Sequence, residues 1–100
     1  MPRFSTEEII QATGAKLLHG KVRNFSTIST DTRTIVQGSL FIALSGEHYN
    51  GNDFALEAVN KGATGLILTQ EDVEISEEVT TFLVTDTRQA LMKLACLHRQ

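Results

Sequence analysis

The chain has 100 residues, room for one domain, with 41% hydrophobic and 21% charged residues, the ordinary balance of a folded globular protein. Its net charge of −3 argues against nucleic acid as a partner, and no apolar run reaches the length of a membrane span or forms a signal peptide. The single cysteine, Cys96, has no mate for an internal disulfide, which fits a reducing compartment and makes a cytoplasmic location the default.

The first helix is signalled by Ser5 as N-cap with Glu8 three residues later, the spacing of a capping box. Phe4 and Ile9 stand at the positions of a hydrophobic staple, and Gly14 supplies the stop. A short extended piece follows over Lys16 to His19. Phe25 to Thr30, rich in β-branched residues, is predicted as one strand that delivers Asp31-Thr32-Arg33 at its end.

Ser39 to Leu44 is apolar at nearly every position, as in a central strand covered on both faces. Asn50-Gly51 is a turn dipeptide, and Asn52 or Asp53 can cap a helix running to Lys61, with Phe54 and Ala58 facing the core. Gly62 ends that helix, and Ala63 to Thr69 is the next strand. Strand, helix and strand in this order form a βαβ unit with parallel strands.

Residues 71–78 hold five acids and no base and read as a solvated loop. Thr80 to Thr85 is a strand. Asp86 with Gln89 opens a last helix whose Leu91, Leu94, Ala95 and His98 share a face. That helix meets no stop before Gln100, the pattern of a domain boundary or of a frayed terminus. The expected fold is α/β: a single small domain with a mostly parallel open sheet and helices packed on it.

The polar motifs cluster at the predicted strand ends, where open α/β sheets bind ligands. Arg33 offers a planar fork of donors for phosphate or carboxylate, and Thr32 a hydroxyl. Taken alone, Asp-Thr-Arg reads as a turn in which Asp31 caps backbone amides and Arg33 pairs with an acid. With the downstream block in register it reads as a ligand site. Ser45-Gly46 follows the central strand, where a glycine lets a backbone approach a ligand closely or simply makes a turn. Asn52 is equally suited to donating to a substrate oxygen and to capping the helix.

His19, His48 and His98 lack metal-ligand spacing, and no nucleophile–base constellation is present, so no catalytic or metal-binding residue is assigned. A G-x-x-x-x-G-K-[ST] phosphate loop is also absent from the sequence, so ATP binding by these residues is not supported.

The ordered set formed by Asp31-Thr32-Arg33, the strand Phe41-Ile42-Ala43-Leu44, Ser45-Gly46-Glu47, Asn50-Gly51-Asn52-Asp53-Phe54 and Gly62-Ala63-Thr64-Gly65 resembles the N-terminal domain of the Mur ligases. The resemblance covers nearly the whole chain. It implies a UDP-precursor-binding domain over residues 1–86 and, over 87–100, a terminal helix leading toward an ATP-binding domain that these residues do not contain. It implies a UDP-linked muramoyl-peptide precursor held by Thr32, Arg33, Ser45, Gly46 and Asn52.

The partners implied are the following ATP-binding and C-terminal domains of the same polypeptide. No cofactor is implied within this chain; ATP and magnesium are implied for a full-length ligase, and these residues alone would be inactive. Asp-Thr-Arg, where other members have Asp-Ser-Arg, leans toward the D-alanyl-D-alanine-adding branch over the tripeptide-forming one. Three positions depart from the family's usual pattern: Ser45 stands where a basic residue is common, Asn50 where Asp is, and Asn52 where His is. A stand-alone UDP-sugar-binding module and an interaction domain without ligand are the competing readings.

Overall fold

The computed structural model describes residues 4–20, 24–25, 27–44, 54–69 and 78–97. In chain order the elements are β1 (Phe4–Ser5), α1 (Thr6–Thr13), β2 (Lys16–His19), β3 (Asn24–Phe25), β4 (Ile28–Ser29), a 3-10 turn (Thr32–Thr34), β5 (Leu40–Ile42), α2 (Ala55–Asn60), β6 (Gly65–Leu68), β7 (Thr80–Leu83) and α3 (Thr87–Leu97).

The main sheet has the order β2-β7-β6-β5-β4. β4, β5, β6 and β7 run parallel, with Phe41 opposite Leu66 and Ile67 opposite Phe82. The β5–α2–β6 segment is the parallel βαβ unit expected from its pattern. β2 closes the far edge antiparallel to β7, with Leu17 opposite Phe82.

Successive side chains of a strand point to opposite faces, and the two faces of this sheet bury different helices. On one face Leu40, Ile42, Ile67 and Phe82 pack with Ile9 of α1 and with Ala90 and Leu94 of α3. On the other, Phe41, Ala43, Leu66 and Leu68 pack with Ala55 and Ala58 of α2. The continuous apolar run in β5 and β6 is therefore covered on both sides, as in parallel sheets generally.

The capping box at α1 is formed: Glu8 N–H donates to Ser5 Oγ at 3.1 Å and Ser5 N–H to Glu8 Oε1 at 3.3 Å. Gly14 ends the helix at φ 71°, its N–H donating to the Ile10 carbonyl. The expected staple between Phe4 and Ile9 involves a side chain outside the described ones. Asp86 caps α3, its Oδ1 accepting from Arg88 N–H at 2.9 Å and Gln89 N–H at 3.2 Å. Residues 71–77 and His98 lie outside the described residues.

Three expectations are corrected. Phe25 to Thr30 is not one strand: β3 pairs antiparallel with β1, Phe25 opposite Phe4, whereas β4 joins the main sheet. Phe25 pairs outside the main sheet and packs into its core, fully buried, its ring edge-on to Phe82 at 6.3 Å between centroids. The inward stripe of α3 is Thr87, Ala90, Leu91 and Leu94, the i, i+3, i+4, i+7 pattern, and Ala95 falls outside it and is exposed. Phe54 is not a core residue but is 40% exposed. Ala55 and Ala58 supply the small inward face that lets α2 sit close to the sheet, and Phe54, just before the helix, is left outside it.

Candidate functional site

A cleft of about 530 Å³ opens where β4 and β5 end, within the size range of small-ligand sites. Thr30, Asp31, Thr32 and Arg33 line it from the turn after β4, and Phe41 and Leu44 from β5 and the residues just beyond it. Phe54 lines it from the entrance to α2. This is the carboxyl end of the parallel strands, the side on which ligands bind in open α/β sheets.

The turn that carries the polar residues is built by short-range hydrogen bonds. Ser29 Oγ donates to the Asp31 carbonyl at 2.8 Å and lies 2.8 Å from Thr34 Oγ1. Thr34 N–H and Thr34 Oγ1 both donate to that carbonyl as well, at 3.1 and 3.0 Å. Asp31 is the N-cap of the 3-10 turn, its Oδ1 accepting from Arg33 N–H at 2.8 Å. Small hydroxyl and carboxylate residues are required here because each reaches only the backbone nearest it.

Arg33 folds back on the same carboxylate. Its Nε donates to both Asp31 oxygens at 3.1 Å and its Nη2 to Oδ2 at 2.7 Å. The turn reading of Asp-Thr-Arg is thus realised in the structure. It also leaves Arg33 in a defined pose: the inner Nε/Nη2 edge is engaged, the outer Nη1/Nη2 edge is not used by Asp31, and the side chain is 84% exposed. An outer guanidinium edge matches two oxygens of a phosphate or carboxylate.

The side-chain hydrogen bonds from Arg33, followed by its backbone N–H, hold the Asp31 carboxyl down at about 2, and Arg33 is raised in turn. A carboxyl depressed on folding contributes stability above its unfolded value of about 3.9, and that contribution is lost as pH falls through its folded value. The stability difference between the wild-type chain and Asp31→Asn is therefore expected to narrow as pH is lowered from about 4 to 2. Urea midpoints measured across that window check it; a difference that stays constant contradicts it.

The structure brings Thr32 and Arg33 to the cleft wall, with Thr32 half-buried. Ser45, Gly46 and Asn52 lie outside the described residues, although Ser45-Gly46 directly follows cleft-lining Leu44 in the chain. The residue that sequence reasoning misplaced is Phe54, whose aromatic character reads as core. Its position before the first inward alanine of α2 was the available signal. Among the described residues no group of three His, Cys, Asp or Glu side chains is arranged to hold a metal ion.

The family model described as "Mur ligase family, catalytic domain" matches residues 24–99. The chain belongs to the Mur ligase family. This Mur ligase chain is 40% identical over 95 residues to the UDP-N-acetylmuramoyl-tripeptide--D-alanyl-D-alanine ligase of Haemophilus influenzae, covering 95% of the chain and 20% of that protein. It is 44% identical over 71 residues to the UDP-N-acetylmuramoyl-L-alanyl-D-glutamate--2,6-diaminopimelate ligase of Clostridium perfringens, covering 71% of the chain and 14% of that protein.

The crystal structure of MurF from Acinetobacter baumannii superposes with a TM-score of 0.80 at 27% identity, over 94% of this Mur ligase chain and 20% of that one. The chain therefore spans about a fifth of the length of the D-alanyl-D-alanine relatives it matches. The family model carries the word catalytic, yet the sequence holds no G-x-x-x-x-G-K-[ST] loop. No helix among the described residues is long and apolar enough to cross a membrane.

Proposed function

We propose that this chain is the UDP-precursor-binding domain of a cytoplasmic Mur ligase that adds D-alanyl-D-alanine to the muramoyl tripeptide in peptidoglycan synthesis. The observation that carries the reading is the cleft at the ends of β4 and β5, with the outer edge of Arg33 unspent by Asp31. Arg33 and the Thr32 hydroxyl take the diphosphate side of the ligand, and Ser45, Gly46 and Asn52 complete the hold on the UDP-sugar end. The names of the Haemophilus influenzae relative and the Acinetobacter baumannii structure support the D-alanyl-D-alanine branch.

In this reading the chain does no bond chemistry. ATP and magnesium activate the terminal carboxylate of the precursor in a ligase, and the residues here do not fit that role because they include no phosphate loop. The domain instead supplies remote binding energy, which fixes the precursor so that its far, reacting end is presented to the ATP-binding and C-terminal domains of the same polypeptide. Replacing Arg33 by alanine removes a charge-assisted contact and is expected to weaken UDP-N-acetylmuramoyl-tripeptide binding about tenfold or more. Calorimetric titration of the wild-type chain, Arg33→Ala and Lys93→Ala checks it; equal affinity in all three contradicts the assignment.

A second reading, a ligase that forms the tripeptide, is favoured by the 44% identity to the Clostridium perfringens diaminopimelate ligase. Both readings give the cleft the same UDP end. The product made by the complete ligase, a D-alanyl-D-alanine adduct or a tripeptide, separates them.

A further inference from the structure

We propose that Asp31 is a positioning residue: its carboxylate grips one edge of the Arg33 guanidinium, so that the other edge is already oriented when the anionic end of the ligand arrives. The inference rests on the anion-binding role given to Arg33 above and assigns a second residue that acts through it. An arginine on an exposed turn has several rotatable bonds, and ordering them at the moment of binding costs affinity. Three hydrogen bonds from Arg33 Nε and Nη2 to Asp31 order them beforehand.

The direction of the hold follows from burial and hydrogen bonding. Asp31 is the better-anchored partner, its side chain 38% exposed against 84% for Arg33. The Asp31 N–H donates to Ser29 Oγ at 3.4 Å, and the Asp31 carbonyl accepts from Ser29 and Thr34, so its backbone is fastened on both sides. Ser29 is itself buried in β4. Asp31 Oδ1 also accepts from Arg33 N–H, which sets the carboxylate against the turn. The strand end fixes the carboxylate, and the carboxylate fixes the guanidinium. A bidentate pair of this kind defines an orientation, which a lysine ammonium, a point charge, would not.

Charge alone gives the opposite expectation. Asp31 lines the cleft, and a carboxylate there repels an anion, so its neutralisation should tighten binding by simple Coulomb attraction. Pre-orientation of Arg33 instead requires that neutralising Asp31 weakens binding, and does so only while Arg33 is present.

The test titrates UDP and inorganic diphosphate into the wild-type chain, Asp31→Asn, Asp31→Ser, Arg33→Ala and the double variant Asp31→Asn/Arg33→Ala. Asparagine and serine keep an oxygen for the N-cap bond but carry no charge for the guanidinium. Both single variants at Asp31 are expected to bind either probe about fivefold more weakly than wild type, whereas Asp31→Asn costs nothing further once Arg33 is alanine. In NMR spectra of the free chain, the Arg33 Nε–H should be protected from solvent exchange in wild type and lose that protection in Asp31→Asn. Affinity unchanged or raised in Asp31→Asn and Asp31→Ser overturns the positioning role. So does an equal loss with and without Arg33, which would come from the turn itself, or equal Nε–H protection in wild type and Asp31→Asn. Those outcomes leave the contact made by Arg33 standing. Failure of the wild-type chain to bind either probe, or Arg33→Ala binding as well as wild type, overturns the anion-site reading, and the positioning role with it.

Discussion

Truncating Phe82 to alanine is expected to cost about 3–5 kcal/mol of unfolding free energy. Phe82 is fully buried in β7, between the antiparallel edge strand β2 and the parallel strand β6, and its ring meets Phe25 edge-on. Removing it leaves a cavity where Phe25 of the small β1–β3 sheet packs against the main sheet. The Phe25 ring then loses its aromatic partner, and neighbours on backbone hydrogen-bonded strands have little freedom to collapse into the void. Against the roughly 5–15 kcal/mol that holds a domain of this kind folded, such a loss lowers the melting temperature by about 12 °C or more. Thermal unfolding of Phe82→Ala beside the exposed-face control Leu56→Ala checks it; a shift no larger than that of the control contradicts the placement of the core.

Gly20→Ala should be the more damaging of two glycine substitutions that look alike in sequence. Gly14 and Gly20 both have positive φ, 71° and 104°. A β-carbon at Gly14 meets nothing within 4 Å, so alanine there costs only the left-handed conformation, about 1 kcal/mol. A β-carbon at Gly20 overlaps the Thr80 Cα and comes within 2.7 Å of both Thr80 N and the Val79 carbonyl. Those are backbone atoms at the start of β7, and they cannot retreat without disturbing the strand's parallel pairing with β6, where Thr80 lies opposite Gly65. Strain and overpacking together are expected to cost about 3 kcal/mol. Urea denaturation of the two variants gives the order directly, and a smaller loss at Gly20 than at Gly14 contradicts the close approach of the chain after β2 to β7.

Much of the fold is written in local chemistry. Ser5 with Glu8, Gly14, and Asp86 before Thr87 mark helix ends by hydrogen bonds that span two to four residues, so their spacing is visible in the chain. The parallel β5–α2–β6 unit follows from an apolar run, a helical stretch and a second apolar run. What the chain does not display is which layer an aromatic side chain enters. Phe25 has the composition of a strand residue, but its burial against Phe82 depends on a segment more than fifty positions away. Phe54 has the composition of a core residue, yet the two alanines that follow it take the inward positions.

The site is legible to the same degree. Thr32 and Arg33 reach the cleft because the strand before them ends where the sheet ends. The pairing of Arg33 with Asp31 was one of two readings open to the motif, and the structure combines that pairing with an outer edge still available.

The central claim is that this cleft receives the UDP end of the precursor and does not receive ATP. The most direct measurement is an NMR titration of the isotope-labelled chain with UDP-N-acetylmuramoyl-tripeptide, UDP and ATP, following backbone amides. Saturable shifts at residues 30–33, 41–46 and 52–54 with the precursor and UDP, and none with ATP, are the predicted result. Shifts centred elsewhere, or none with millimolar precursor, would contradict it.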